Sequence, residues 1–123
     1  MKKRALVLFA HGARDPRWAE PFRRLQTRIQ EQSPDIEVAL GFLELMSPRL
    51  PELAAQLVQQ QVSEITVVPV FLGRGGHVMR DLPQMVEELK LTYPQMQFRI
   101  AGAVGEDDAV LDAMASYCLK AAR

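Results

Sequence analysis

The stretch Ala5-Leu6-Val7-Leu8-Phe9-Ala10 is continuously apolar and lies between the basic residue Arg4 and the polar residue His11. A short apolar run without alternation is typical of a strand that is buried on both faces. Such strands occur mostly in parallel sheets that carry helices on both sides. The run is too short to cross a bilayer, so we expect no membrane-spanning segment and no membrane partner.

Strand-type and helix-type segments alternate through the rest of the chain. Further strands are predicted at residues 36–42, 65–72 and 98–103, which are rich in β-branched and apolar side chains. A segment with apolar residues at helical spacing follows each strand. The pattern is a strand and then a helix, four times, within a single domain over residues 1–123. We therefore predict an α/β protein with a four-stranded parallel sheet, a flavodoxin-like three-layer architecture and the strand order 2-1-3-4.

Short polar and proline signals predict where the later helices begin. Ser47-Pro48 predicts the start of the second helix, with Ser47 as the N-cap residue and Pro48 in the first turn. Asp81 predicts the start of the third helix, after a glycine loop at residues 73–77. Asp107-Asp108 predicts the start of the last helix. The apolar stripe of that helix consists of Leu111, Met114, Ala115 and Cys118.

The composition argues against several classes of protein. Of the 123 residues, 48% are hydrophobic and 24% are charged, which is typical of a globular domain and not of a disordered or fibrous chain. Acidic and basic residues both number 15, and a formal net charge of zero argues against a nucleic-acid-binding protein. The single cysteine, Cys118, excludes an internal disulfide. No signal-peptide pattern follows the basic residues 2–4, so we expect a cytoplasmic protein.

The only two histidines of the chain both follow predicted strands. His11 comes directly after the first strand, and His77 follows the third strand across the glycine loop. In the predicted sheet these strands are neighbours, so both histidines flank the switch point where such folds bind ligands. Glu44, after the second strand, is a third candidate. Two imidazoles and a carboxylate suit Co²⁺, Ni²⁺, Fe²⁺ or Zn²⁺, and neutral imidazole also accepts protons. The alternative is three loop residues with local hydrogen bonds only.

Arginines are concentrated at the same predicted edge of the sheet. They are Arg14, Arg17, Arg49, Arg74 and Arg80. Guanidinium groups favour a substrate with carboxylates or phosphates, whereas the alternative is a solvated rim, which Arg49 fits best. The glycines of residues 73–76 match neither a dinucleotide-binding pattern nor a P-loop, so their signal for phosphate binding is weak and we expect no nucleotide. Their role in this interpretation is a tight turn that brings His77 near a ligand.

Three segments resemble the short form of the sirohydrochlorin chelatase family, the CbiX type. They are Leu-Phe-Ala-His-Gly-Ala-Arg-Asp-Pro at 8–16, Phe-Leu-Glu at 42–44, and residues 68–83 with Pro-x-Phe-Leu-Gly and His-Val-x-x-Asp-x-Pro. The third segment is the most specific. The resemblance implies a lyase that inserts a divalent metal into sirohydrochlorin without ATP, in cobalamin or related tetrapyrrole biosynthesis. It implies Co²⁺ as the first candidate metal, with Ni²⁺ and Fe²⁺ as alternatives.

The resemblance also implies roles for individual residues. His11 and His77 would bind the metal and accept protons, with Glu44 assisting as a catalytic group and metal ligand. The implied contacts with sirohydrochlorin are Arg14, Arg17, Arg74, Arg80, Phe42, Leu43, Gly75 and Gly76. Short members resemble one half of the longer, two-lobed chelatases, which implies a homodimer. Ala13 stands where many members have a serine, so a hydroxyl that could cap the next helix is absent here.

Other functions compete on the sequence alone. A histidine phosphatase also has His-Gly after its first strand, but it requires an arginine directly before that histidine, where this chain has Ala10. A non-catalytic metal or tetrapyrrole carrier of the same fold stays open. A flavodoxin-like interaction module also stays open, although it has no need of the paired histidines.

Overall fold

The computed structural model describes residues 3–73 and 76–123, without the side chains of residues 76–79. The elements in chain order are β1 (Lys3–Ala10), α1 (Glu20–Gln32), β2 (Glu37–Phe42), α2 (Leu50–Gln59), β3 (Val62–Pro69), α3 (Gly76–Thr92), β4 (Gln97–Ile100) and α4 (Asp108–Ala121). Short 3₁₀ turns, Pro16–Ala19 and Val104–Glu106, precede α1 and α4. Within the described residues, no helix is both long and apolar enough to cross a membrane.

The four strands form one parallel sheet in the order β2-β1-β3-β4. In the middle of the sheet, Val7 of β1 pairs with Ala39 of β2 on one side and with Val67 of β3 on the other. The fourth strand lies along β3, where Ile65 pairs with Phe98. The predicted fold class and strand order are therefore confirmed. Because all strands are parallel, their carboxyl ends meet at one edge of the sheet, which we call the carboxyl edge.

Helices cover the two faces of the sheet unequally. On one face, α2 and α3 pack over the sheet and bury a continuous core that includes Phe9, Leu57 and Val86. On the other face, α1 packs against β1 and β2, where its Phe22 contacts a smaller buried cluster around Leu8. The last helix, α4, contains no buried residue. The predicted stripe of apolar residues on α4 is thus exposed.

The second helix begins two residues later than the sequence predicts. Pro48 accepts a hydrogen bond from the backbone N–H of Phe42 at 2.9 Å, and Arg49 forms a β-bridge with the same residue. This pairing keeps Arg49 extended beside the end of β2. Arg49 therefore occupies the N-cap position and α2 starts at Leu50, so the predicted cap at Ser47-Pro48 is wrong.

The third helix begins earlier than predicted. It starts at Gly76, which places Asp81 in its second turn, so the predicted N-cap at Asp81 is wrong. Of the predicted glycine loop, Gly76 and His77 belong to the helix, whereas Arg74 and Gly75 lie outside the described residues. The third strand also lies three residues earlier than predicted and ends at Pro69. Proline has no N–H to donate to a ladder, which suits the last position of a strand.

The last strand ends earlier than predicted, whereas the last helix starts where it is predicted to start. β4 ends at Ile100, three residues before the predicted end at Ala103. Asp107 is the N-cap of α4, and its carboxylate accepts hydrogen bonds from the N–H groups of Ala109 at 2.9 Å and Val110 at 3.3 Å. The predicted start of this helix is confirmed.

Candidate functional site

Hydrogen bonds join the ends of β1 and β2 beyond the last residue of each strand. Leu43 donates its N–H to the carbonyl of Ala10 at 2.9 Å, and Glu44 donates to the carbonyl of His11 at 3.1 Å. The pairing of the two strands thus continues for two residues past the carboxyl edge. As a result, His11 and Glu44 stand beside each other on backbone that the sheet itself positions.

Gly12 permits this close approach of the two segments. Its φ is +99°, and a Cβ at this position would lie 1.8 Å from the carbonyl oxygen of Glu44. No side chain fits there, and residues other than glycine rarely adopt this conformation. Sequence reasoning assigned no role to Gly12. The signal that was available is a glycine directly after a candidate histidine at a strand end.

His11 and Glu44 form a hydrogen-bonded pair at the carboxyl edge. The Nε2 atom of His11 lies 3.1 Å from Oε1 of Glu44, and the side chains are 50% and 52% exposed. An ionised carboxylate only accepts hydrogen bonds, so in the tautomer that makes this bond Nε2 donates and Nδ1 keeps a lone pair. Nδ1 and the second carboxylate oxygen have no partner among the described residues. The pair therefore offers solvent one nitrogen and one oxygen ligand.

The third member of the predicted ligand set, His77, lies in the first turn of α3, just beyond the adjacent strand β3. Its side chain is outside the described residues, as are Arg74 and Gly75. Within the part of the chain that is described, no three histidine, cysteine or acidic side chains cluster closely enough to hold a metal ion. The structure thus brings together two of the three predicted ligands, and the role of His77 stays a prediction.

The predicted substrate-binding arginines differ in their surroundings. Arg17 is held by Asp15, which accepts its backbone N–H at 2.9 Å and its Nη2 at 2.8 Å. The side-chain hydrogen bond, with the backbone bond adding to it, lowers the pKa of Asp15, and the same side-chain bond raises the pKa of Arg17. By contrast, Arg14 and Arg80 are exposed and have no hydrogen-bond or ion-pair partner among the described residues. These two guanidinium groups are available to an anionic ligand.

The apolar residues near the site divide into core and surface. Phe42 is 2% exposed and packs in the core beneath α1, which leaves it almost no surface for a ligand. Leu43 is half-buried against the opposite core. Leu45 and Leu72, which follow β2 and β3, expose 57% and 63% of their surface. We call Leu43, Leu45 and Leu72 the apolar rim of the carboxyl edge.

The fold and the site together define a class of protein: a parallel α/β domain with a histidine–carboxylate pair at its switch point and unpaired arginines nearby. The model of the CbiX family matches residues 5–120. The chain belongs to this family.

Relatives in two archaea carry the name sirohydrochlorin cobaltochelatase. The Methanocaldococcus jannaschii protein is 35% identical over 82 residues, which cover 67% of this chain and only 57% of that relative. The Sulfolobus acidocaldarius protein is 30% identical over 116 residues, which cover 94% of this chain and 90% of that relative. The aligned region therefore spans little more than half of the first relative and nearly all of the second.

Solved structures agree with the fold. A putative cobalamin biosynthesis CbiX protein from Marinobacter aquaeolei superposes with a TM-score of 0.84 at 30% identity, and the match covers 95% of both chains. The sirohydrochlorin chelatase SirB from Bacillus subtilis, solved in complex with cobalt, has a TM-score of 0.82 at 22% identity. That match covers 96% of this chain and 50% of SirB, so this chain corresponds to half of the SirB chain in its fold.

Proposed function

We propose that this protein inserts a divalent metal ion into sirohydrochlorin without ATP, with Co²⁺ as the first candidate metal and Ni²⁺ or Fe²⁺ as alternatives. The observation that carries the proposal is the half-exposed pair of His11 and Glu44, 3.1 Å apart at the carboxyl edge. Imidazole and carboxylate ligands suit these metals, and few ligands suit a metal that must be handed over. The names of the archaeal relatives support the same reaction.

In the proposed reaction, His11 and Glu44 would bind the metal and also take part in proton transfer. The metal is a substrate, and Nδ1 of His11, an oxygen of Glu44 and the side chain of His77 would hold it. Insertion also requires pyrrole N–H protons to leave the macrocycle, and the lone pair of Nδ1 would accept one of them once the metal has passed to the macrocycle. Glu44 would assist by stabilising the imidazolium that forms, because its carboxylate already accepts the Nε2–H of the ring.

Sirohydrochlorin is a polycarboxylate with apolar faces, and the carboxyl edge offers partners for both. Arg14 and Arg80 are the strongest candidates for its carboxylates because both are free of other described partners. Arg17 is a weaker candidate because Asp15 already holds it. The apolar rim would contact the faces of the macrocycle. Arg74, Gly75 and Gly76 stay in the proposed binding set on the strength of the family resemblance.

We also propose that the protein acts in the cytoplasm as a homodimer, with neither nucleic acid nor membrane as a partner. The match to half of the SirB chain supports the homodimer, because a second copy supplies what the second half of a longer chelatase supplies. The balanced charge supports the absence of a nucleic-acid partner.

An anaerobic absorbance assay tests the reaction. Sirohydrochlorin is mixed with Co²⁺, Ni²⁺ or Fe²⁺ in excess and a small amount of protein, without ATP, and the metal-dependent spectral change is followed. We expect many turnovers per protein above the uncatalysed rate with at least one metal. At most one equivalent of product would instead indicate a carrier. The Glu44→Gln variant, with Glu52→Gln on α2 as its control, tests whether the pair at the carboxyl edge is responsible.

A further inference from the structure

Among the described residues, two that are not glycine have left-handed backbone, and only one of them is explained by a helix end. Gln61 and Leu45 both have a φ of +67°. Gln61 follows the last turn of α2 and donates its N–H to the carbonyl of Val58 at 3.1 Å, a position where left-handed backbone is common. Leu45 follows no helix, so its conformation needs a different explanation.

The left-handed conformation of Leu45 turns the chain directly after Glu44. The N–H of Glu44 is bonded to the carbonyl of His11 at 3.1 Å, which fixes the chain before the turn. After the turn the chain returns to the end of β2, where the carbonyl of Pro48 accepts the N–H of Phe42 at 2.9 Å. The segment between these bonds is short and held at both ends, so a sharp turn within it is required.

Leucine is an unfavourable residue for this turn. Left-handed backbone brings a Cβ close to the following carbonyl oxygen, and glycine and asparagine adopt it far more readily than leucine. Burial of the Leu45 side chain offsets little of this cost, because 57% of its surface is exposed. Its neighbours Leu43 and Met46, by contrast, pack against the two buried cores. The stability of a single folded chain therefore does not explain a leucine at position 45.

Leu45 lies next to the histidine–carboxylate pair of the carboxyl edge. It directly follows Glu44, and β1, which ends before His11, lies between β2 and β3 in the sheet. Leu45 after β2 and Leu72 after β3 therefore flank the end of β1 where His11 is placed. Leu72 is 63% exposed. A flat apolar ligand face that covers both leucines would lie across the pair.

We propose that Leu45 is kept in its strained conformation because its side chain seats the apolar face of the tetrapyrrole over His11 and Glu44. The inference rests on the proposed function and names a residue that determines substrate binding at the same site. Strained residues persist where the strain serves a function. The bound macrocycle would cover the exposed part of Leu45, so substrate binding supplies the burial that the folded chain lacks.

The Leu45→Asn variant tests the proposal, because stability and substrate affinity should both change and should do so in opposite directions. Asparagine adopts left-handed backbone readily, so the Tm should rise by about 1–3 °C. Loss of the leucine surface that the macrocycle covers should raise KM for sirohydrochlorin about five- to twentyfold and change kcat less. Circular dichroism measures the first change, and the anaerobic absorbance assay measures the second.

The Gln61→Asn variant is the matched control. It introduces the same residue at the same φ, directly before β3 and thus at the opposite end of the sheet from the carboxyl edge. Its Tm should also rise by about 1–3 °C, whereas its KM should stay that of the unmodified chain. The Leu45→Met variant keeps an apolar side chain of similar volume and should recover most of the affinity lost in Leu45→Asn. No recovery in Leu45→Met would overturn the proposal.

Ionic strength separates an apolar contact from a charged one. The ratio of KM between Leu45→Asn and the unmodified chain should be the same at about 0.05 M and 0.5 M salt, because salt does not screen an apolar contact. Arg14→Ala provides the comparison for a charged contact, whose ratio shrinks as salt rises. A Leu45→Asn effect that disappears at the higher salt concentration would refute an apolar contact with the macrocycle.

Other results would also overturn the proposal. A lower Tm in Leu45→Asn would show that the leucine stabilises the fold. An unchanged KM together with weaker dimerisation, measured by light scattering, would assign Leu45 to an interface between copies.

Failure of the proposed function has a different result. An unmodified chain that inserts no metal would overturn that function, and equilibrium dialysis with sirohydrochlorin alone would then test Leu45 through the Kd of Leu45→Asn in place of KM. An unmodified chain that neither inserts metal nor binds sirohydrochlorin would overturn both.

Discussion

Replacing Gly12 with alanine should disrupt the site and the fold around it together. The new Cβ would lie 1.8 Å from the carbonyl oxygen of Glu44, whereas real Cβ contacts are essentially never closer than 3.0 Å. The φ angle of +99° at this position also costs an alanine about 1–2 kcal/mol. The two segments must move apart by more than an ångström. This movement breaks the 3.1 Å hydrogen bond from the N–H of Glu44 to the carbonyl of His11, which is worth about 0.5–1.5 kcal/mol.

With some remaining strain, we expect Gly12→Ala to lower the free energy of unfolding by about 2–4 kcal/mol. For a chain of 123 residues the entropy of unfolding is about 0.26 kcal/mol/K, so the Tm should fall by roughly 8–15 °C. Thermal unfolding followed by circular dichroism measures this change. The absorbance assay, run well below the Tm of the variant, should show a loss of metal insertion because His11 and Glu44 no longer meet.

Gly102→Ala is the matched control for this experiment. A Cβ at Gly102 meets no heavy atom within 4 Å, and its φ lies outside the left-handed region. We expect a stability change within about 1 kcal/mol, because glycine-to-alanine changes at compatible positions are mild. If Gly12→Ala melts within about 2 °C of the unmodified chain and retains activity, Gly12 does not set the approach of the two strand ends.

Further predictions concern individual groups of the site. His11→Ala should fold normally and lose about a hundredfold or more in metal insertion, since a ligand and proton acceptor is gone; near-normal turnover would remove His11 from the mechanism. Arg14→Ala and Arg80→Ala should each raise KM about tenfold or more and change kcat less, with Arg17→Ala weaker than both; equal KM values in all three variants would indicate a solvated rim. In NMR titrations, Asp15 should stay ionised to lower pH than an ordinary aspartate, because Arg17 lowers its pKa. The ion pair of Asp15 with Arg17 is therefore present at neutral pH and is lost as the pH falls through the lowered pKa of Asp15. An unchanged Asp15 titration in the Arg17→Ala variant would show that Arg17 does not lower this pKa.

The sheet order and the convergence of His11 with Glu44 were predictable for the same reason. Both follow from the alternation of strands and helices and from the right-handed crossover, which together fix which strand ends are neighbours. Neither inference needs atomic detail. A residue directly after β1 and a residue just after β2 have to share an edge once these strands are parallel neighbours.

The helix starts were less predictable because local signals compete with pairing elsewhere. Ser47-Pro48 is a good capping sequence, but the carbonyl of Pro48 accepts a hydrogen bond from the N–H of Phe42, and the helix begins only at Leu50. Similarly, the family resemblance implies that Phe42 contacts the substrate, yet Phe42 is buried in the core beneath α1. Such contacts depend on residues distant in the sequence, and no local pattern reports them.

The apolar stripe of α4 shows a different limit. Helical spacing correctly predicts that these side chains lie on one face, but it carries no information on which chain covers that face. Within one chain the structure leaves the stripe exposed. Hydrophobic patterning therefore predicts a partner surface without naming the partner.

The two hydrogen bonds that extend the pairing of β1 and β2 past the sheet have a consequence for engineering. An insertion next to Ser47, after the last of these bonds, leaves the register of this pairing unchanged. An inserted residue between Phe42 and Glu44 shifts the register by one position, and because side chains alternate, the carboxylate would turn away from His11. The length of the segment between β2 and Glu44 is thus as much a part of the site as the identity of its side chains.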